Sequence, residues 1–322
     1  MARKKRHPEY SDLAISVVIC TYNRAEFLAN ALQTLCEQTI NKFHYEVLVV
    51  DNNSKDNTRA VTEDFCRSYP NIRYCFEKRQ GLSHARNCGW REANGLYVAY
   101  VDDDCKVPIQ WLTVAEKIIE QQSPSVFGGP YYGYHYTSIP YWWKESYEEF
   151  GLSDTARALI PGELLRGANI FIQRRLLQMI GGFNDDYGMS GENIDFGEES
   201  ELQRHIRAGM PDELIYYDPE LYIYHLVRPE KMTWRYIIHS RFIGGRSIYK
   251  VFRDDTTQET GISQIKLPVM AALTIFKFFA SFLVGVLLRN RKRYPYLQNY
   301  LYEKTFMHVQ KLGFIYERYT HW

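Results

Sequence analysis

The sequence predicts an α/β protein built on a mostly parallel sheet with helices on both faces. Three observations carry the prediction. Short, fully apolar runs rich in β-branched residues recur through the first hundred positions. Stretches with apolar residues at helical spacing separate them. The two patterns alternate strictly, which is how strand–helix–strand units build a parallel sheet.

The first run, Ile15 to Cys20 (ISVVIC), has no polar alternation beyond Ser16 and reads as a strand buried on both faces. Arg24 to Gln38 follows with Leu28, Leu32 and Leu35 on one helical face. Tyr45 to Val50 (YEVLVV) reads as the second strand, and Asp56 to Tyr69 as a capped helix with Val61 and Phe65 inward. Ile72 to Phe76 reads as a third strand, Ser83 to Ala93 as a third helix and Tyr97 to Val101 as a fourth strand. In such sheets ligands bind just beyond the carboxyl ends of the strands. The residues at those ends are Thr21-Tyr22-Asn23, Asp51-Asn52-Asn53-Ser54 and Asp102-Asp103-Asp104.

Three consecutive carboxylates are costly unless a cation joins them. Hard divalent ions such as Mn²⁺ or Mg²⁺ take oxygen ligands of this kind, usually together with substrate phosphates. Asp102 and Asp104 are two apart and reach a common ion if the chain bends after the strand. Asp103 is placed to accept hydrogen bonds from a ribose.

Residues 105 to 230 are less regular. They carry Gly128-Gly129-Pro130, an aromatic stretch from Tyr131 to Trp143 and a second acidic cluster, Gly197 to Leu202 (GEESEL). Beyond Lys231 the pattern is mainly helical. The chain holds 26 Tyr, 17 Phe and 6 Trp, so aromatic rings are available both for a core and for stacking on sugar C–H faces. Trp142 and Trp143 are candidates for such stacking. Asn169, with Lys144, Glu145 and the loop beginning at Glu163, is a candidate for shaping an acceptor pocket.

A net charge of +1 argues against bulk electrostatic binding of nucleic acid. Six cysteines, none in a CxxC pair, read as reduced thiols in a reducing compartment. The first dozen residues are basic and polar without an apolar core, so the catalytic part is expected in the cytoplasm.

Leu267 to Leu288 is as long as a membrane span requires. Its thirteen Leu, Ile, Val and Phe residues favour insertion by about −4 to −8 kcal/mol, against about +3 kcal/mol for Lys277 at the midpoint. Thr274, Lys277 and Ser281 fall on one helical stripe, and Arg289, Arg291, Lys292 and Arg293 follow. A helix lying on the membrane surface is the favoured reading; a span or re-entrant helix, and a soluble core or dimer helix, hence a homo-oligomer, are the alternatives.

Nine segments, in order, resemble a family 2 glycosyltransferase of the GT-A fold. They are Val17 to Leu32 (VVICTYNRAEFLANAL), Val47 to Thr58 (VLVVDNNSKDNT), Arg79 to Gly95 (RQGLSHARNCGWREANG), Tyr100 to Asp104 (YVDDD), the GGP triplet, Leu164 to Arg175 (LLRGANIFIQRR), Ile180 to Asp185 (IGGFND), GEESEL and Tyr224 to Glu230 (YHLVRPE). The resemblance covers about residues 14 to 245. It implies a nucleotide-sugar donor, UDP-linked in most relatives, and a glycan, polysaccharide or lipid-linked acceptor.

The resemblance also implies roles. Thr21, Tyr22 and Arg24 would line the nucleotide base, and Asp51 would hydrogen-bond it. Arg86 would meet the base or the diphosphate. Asp102, Asp103 and Asp104 match the DXD motif, with Asp104 the foremost metal ligand, and His225 would close the metal site. GEESEL matches the segment that supplies the catalytic base, with Glu199 where the family usually has Asp; Glu198 and Glu199 are the two candidates. The implied reaction is a single displacement with inversion. The implied organisation is a basic tail (1–12), a catalytic domain (13–232, divided into 13–105 and 106–232) and a helical C-terminal region (233–322). A nucleotidyltransferase on a related sheet and a non-catalytic nucleotide-sugar- or glycan-binding protein are the competing readings.

Overall fold

The structure, a computed structural model, describes residues 14–40, 45–191, 193–260 and 266–321. The basic tail at 1–12 lies outside the described residues. Two compact units emerge. One comprises 1–133, 149–186 and 198–226, and the other 134–148, 187–197 and 227–322.

The first unit begins with β1 (Ile15–Thr21), α1 (Ala25–Cys36), β2 (Tyr45–Asp51), α2 (Thr58–Ser68), β3 (Ile72–Phe76), α3 (Leu82–Glu92) and β4 (Tyr97–Val101). Each element lies within a few residues of its predicted position. The strands pair in parallel in the order β3-β2-β1-β4, as the alternation requires. Next come β5 (Cys105–Lys106), α4 (Trp111–Gln122), β6 (Val126–Gly128) and β7 (Tyr131–Tyr134). They are followed by β8 (Arg157–Ala158), β9 (Asn169–Gln173), α5 (Arg174–Ile180), α6 (Glu198–Gly209), β10 (Ile215–Tyr217) and β11 (Ile223–Leu226). The sheet grows to eight strands by adding β9-β6-β10-β8 beside β4, with β9 antiparallel to both its neighbours. The strands β5, β11 and β7 form a separate three-stranded sheet.

Strand alternation divides the core into two layers. Ile15, Val17 and Ile19 face the layer that holds Leu28, Leu32 and Leu35 of α1 and Trp111 of α4. Val18, Leu48 and Val50 face the layer that holds Ala85 of α3, Leu176 of α5, and Leu202 and Ile206 of α6. Helices therefore cover both faces, which accounts for the unbroken apolar runs in the strands.

The second unit is helical: α7 (Trp234–Thr260), α8 (Lys266–Leu287), α9 (Leu297–Tyr300) and α10 (Met307–Thr320). Helices α7 and α10 approach closely. A Cβ at Gly245 would overlap the carbonyl of Gln310, and one at Gly313 would overlap that of Phe242. Trp142 and Trp143 lie in this unit's core, each only 7% exposed. Trp142 stacks on Trp234 with centroids 4.9 Å apart, and Trp143 packs edge-on against Tyr147. Their rings are spent on packing, which withdraws them from the expected sugar-stacking surface. Their apolar area is worth more in the core than at the surface.

Candidate active site

The acidic run begins where β4 ends. The Cys105 amide donates to the Asp102 carbonyl at 3.1 Å, so the chain turns at once into β5. β5 pairs antiparallel with β11 and sets His225 opposite Cys105. The Leu226 amide donates to the Asp104 carbonyl at 3.0 Å and locks that register. His225 Nε2 thereby lies 3.4 Å from Asp104 Oδ1 and 3.7 Å from Asp102 Oδ2. Ligand-capable atoms of Asp102, Asp104, Cys105 and His225 all fall within 4.8 Å of one another. The Tyr131 ring flanks the imidazole at 5.4 Å.

The three carboxylates have separate environments. Burial pushes Asp102 up, but the hydrogen bond and charge of His225, with Arg86 and Arg24, outweigh it and hold the group at about 2. Burial raises Asp103 to about 6, with Arg24 pulling it down and Asp104 pushing it up. Arg24 Nη1 donates to Asp103 Oδ1 at 2.9 Å and lies 3.6 Å from Asp104 Oδ2. Arg24, expected along the nucleotide base, thus also neutralises the inner part of the acidic run. Cys105 was not foreseen as a neighbour of the cluster. Burial, then Asp102 and Asp104, push its thiol well above the usual range, so it remains protonated beside the carboxylates.

Two carboxylates and an imidazole are an oxygen-rich donor set that suits Mn²⁺ or Mg²⁺ better than a soft ion. The residues therefore fit the divalent cation that the motif implied.

The nucleotide end is built at the tips of β1 and β2. Thr21 is buried, and its carbonyl accepts from the Asn52 amide at 2.9 Å. Tyr22 is half-buried beside it. Asp51 accepts from the Ser54 amide through Oδ1 and from the Tyr74 hydroxyl through Oδ2, both at 2.8 Å. Tyr74 had carried no signal beyond its place in a strand. Its hydroxyl fixes the rotamer of Asp51.

The second acidic cluster opens α6. Glu198 is buried and accepts from Arg86 Nη1 of α3 at 2.7 Å. The Arg86 guanidinium is buried between the rings of Tyr100 (5.7 Å) and Phe183 (5.3 Å). Burial and the charge of Glu199 push Glu198 up, to about 8, against the pull of Arg86. Glu199 is half-buried. Arg86, expected at the base or diphosphate, is instead committed to Glu198. Both Arg86 and Glu198 feel the charge of Asp102, so the two acidic centres are electrostatically linked.

Asn169 is wholly buried. Its amide nitrogen donates to the carbonyls of Leu221 (2.6 Å) and Pro130 (3.3 Å), and its oxygen accepts from Trp111 Nε1 at 3.2 Å. It braces β9 against the approaches to β7 and β11, which corrects its expected place in an acceptor pocket. A buried amide needs such partners, and the sequence did not reveal that three were at hand.

A mostly parallel sheet interrupted by the antiparallel strand β9 and edged by the antiparallel β8, with a carboxylate–imidazole cluster at its carboxyl edge, defines a nucleotide-diphospho-sugar transferase architecture of the GT-A type. The Glycosyl transferase family 2 profile matches residues 16–181, about half of the chain, and the chain belongs to that family. Glycosyltransferase AglE of Haloferax volcanii is 30% identical over 173 residues, covering 52% of this chain and 55% of AglE. The match thus spans about half the length of that relative. Succinoglycan biosynthesis protein ExoM of Rhizobium meliloti is 26% identical over 241 residues, 73% of this chain and 74% of ExoM. Among solved structures, the mannosyltransferase PcManGT from Pyrobaculum calidifontis, in complex with GDP-Man and Mn²⁺, superposes with a TM-score of 0.63. It covers 98% of this chain and 91% of its own at 16% identity, a likeness of fold.

Proposed function

We propose that this protein is a metal-dependent, inverting glycosyltransferase that moves a sugar from a nucleoside-diphosphate donor to a glycan, polysaccharide or lipid-linked acceptor. The observation that carries the reading is the convergence of Asp102, Asp104 and His225 within 4.8 Å at the carboxyl edge of the sheet. Family membership supports the transferase class. ExoM, named for succinoglycan biosynthesis, supports a polysaccharide acceptor, and the GDP-Man complex of PcManGT supports a sugar nucleotide as donor. A UDP-sugar is the first candidate, with Asp51 meeting the base and Tyr74 holding Asp51 in place. Residues 13–232 are the proposed catalytic domain.

Asp104, with Asp102 and His225, would hold Mn²⁺ or Mg²⁺. When bound, the ion offsets the charge that grows on the departing diphosphate. Glu199 is assigned as the base that takes the proton of the acceptor hydroxyl. Glu198 is unsuited to that work because Arg86 already occupies its carboxylate at 2.7 Å. Arg86 and Glu198 instead hold the first turn of α6, and so hold Glu199. Thr21 and Tyr22 line the base, while Arg24 and Asp103 keep the inner acidic run paired.

We place the enzyme on the cytoplasmic side of a membrane, held peripherally through residues 233–322. The support is α8, the one helix among the described residues that is long and apolar enough to cross a bilayer. Release of nucleoside diphosphate should be measured from UDP-sugars and GDP-mannose, with Mn²⁺ and with EDTA. Turnover abolished by EDTA and restored by Mn²⁺ is expected; turnover indifferent to EDTA refutes the metal role. Release of pyrophosphate instead would identify a nucleotidyltransferase. The anomeric configuration of the product, read by NMR, tests inversion.

A further inference from the structure

Helix α8 has two unlike edges. Leu267, Thr274 and Gly285 are buried. Phe278 packs against the aromatic cluster around Trp143, and the Ser281 hydroxyl is 3.0 Å from that of Thr305. Gly285 lies against the ring of Tyr300. Positions 267, 274, 278, 281 and 285 fall on one helical edge, and from Phe278 to Gly285 that edge is packed on its own unit. Val269, Leu273, Phe276, Phe279, Leu283 and Leu287 occupy the opposite face, each between 54% and 73% exposed. That face carries no charge.

The borders of the face are cationic. Lys277 is exposed three residues from Thr274 and four from Ser281, on the border of the docked edge. The His308 imidazole of α10 is held below its ordinary pKa by burial and by the charges of Lys277 and Lys311, and α10 packs on α8. Arg291, Lys292 and Arg293 follow the helix and are exposed. No Asp or Glu occurs from Lys266 to Arg293.

We propose that the outward face of α8 docks this protein on an anionic lipid bilayer, with the helix lying in the plane of the membrane and not across it. The proposal rests on the membrane part of the reading above. It assigns the face, the orientation and the headgroup charge. A helix docked along this edge cannot cross hydrocarbon alone; it would take Lys304, His308 and Lys311 of the adjoining segment with it. Lying flat, it immerses only apolar side chains and leaves the cations at headgroup depth. A second copy of the chain is the poorer occupant, because its border would bring like charges together. Anionic headgroups neutralise them.

The test uses the full-length chain and co-flotation with vesicles of phosphatidylcholine alone or mixed with phosphatidylglycerol. The protein should float with the anionic vesicles and be stripped from them by alkaline carbonate. The paired change Phe276→Glu with Leu283→Glu should abolish flotation and leave donor turnover in solution unchanged. Lys277→Glu with Lys311→Glu should weaken binding to anionic vesicles by roughly fivefold or more per charge and leave binding to neutral vesicles unaltered. Resistance to carbonate would show a span and overturn the proposal. So would equal binding to both vesicle types, or a lipid-indifferent dimer that Phe276→Glu with Leu283→Glu splits. Donor turnover without lipid reports on the transferase reading separately, so the two fail independently.

Discussion

The two acidic centres are made of the same functional group and are handled in opposite ways. At the end of β4, carboxylates are gathered against an imidazole and a guanidinium, and Asp102 is held at about 2. At the start of α6, one carboxyl is buried against Arg86 and pushed to about 8, while its neighbour is left half-buried. In the proposed reading the first arrangement keeps negative charge ready for a cation, and the second uses one glutamate to hold another. A transferase needs both, because charge must be absorbed on the leaving group and a proton removed from the acceptor. Neighbours, not residue type, assign each carboxylate its task.

The largest effect that sharpens this contrast is expected at Glu199. Glu199→Gln should lower kcat by roughly 10²- to 10⁴-fold with Mn²⁺ affinity unchanged, measured by steady-state turnover and metal titration. An unaltered kcat would move the base elsewhere. Next is the support of that turn. Arg86→Met leaves the buried Glu198 carboxyl without its hydrogen-bond partner and should cost about 1–3 kcal/mol in urea unfolding; a cost near zero would dissolve the distinction between holder and base.

The proposed metal centre should respond in binding. His225→Ala is expected to weaken Mn²⁺ affinity by at least about tenfold, read by calorimetry on the otherwise unchanged fold. Equal affinity would remove His225 from the centre. The smallest effect concerns pH. Glu198 has a folded pKa of about 8 against an ordinary 4.5, so the folded state holds the extra proton between those values. Its contribution to stability is full below about 4.5 and is lost as pH rises through about 8. Glu198→Gln should flatten the stability profile over that window, whatever its effect on absolute stability. A profile unchanged in slope would show that Arg86 keeps Glu198 ionised throughout.

Much of the secondary structure was legible because its signals are local. The runs from Ile15 to Cys20, Tyr45 to Val50 and Tyr97 to Val101 each became strands buried on both faces. GEESEL became a helix start, and Leu267 to Leu288 became one helix, within a residue at each end. Trp142, Trp143 and Asn169 were misread because an aromatic pair or an amide looks the same in sequence whether it faces a ligand or a core. Tyr74 was missed for a related reason: its partner, Asp51, is 23 positions away.

By itself the sequence determined the order of strands and helices, the placing of the acidic run beyond a buried strand, and the apolar length of α8. Each depends on residues a few positions apart, whose burial follows a period of 2 or 3.6. Only the tertiary structure decided which distant groups meet. Pairing of β5 with β11 brought His225 to Asp104. The ion pair between Arg86 of α3 and Glu198 of α6 left Glu199 as the base candidate. Docking of one edge of α8 fixed which apolar face remains uncovered. Such meetings depend on strand register and helix packing, which no local period encodes.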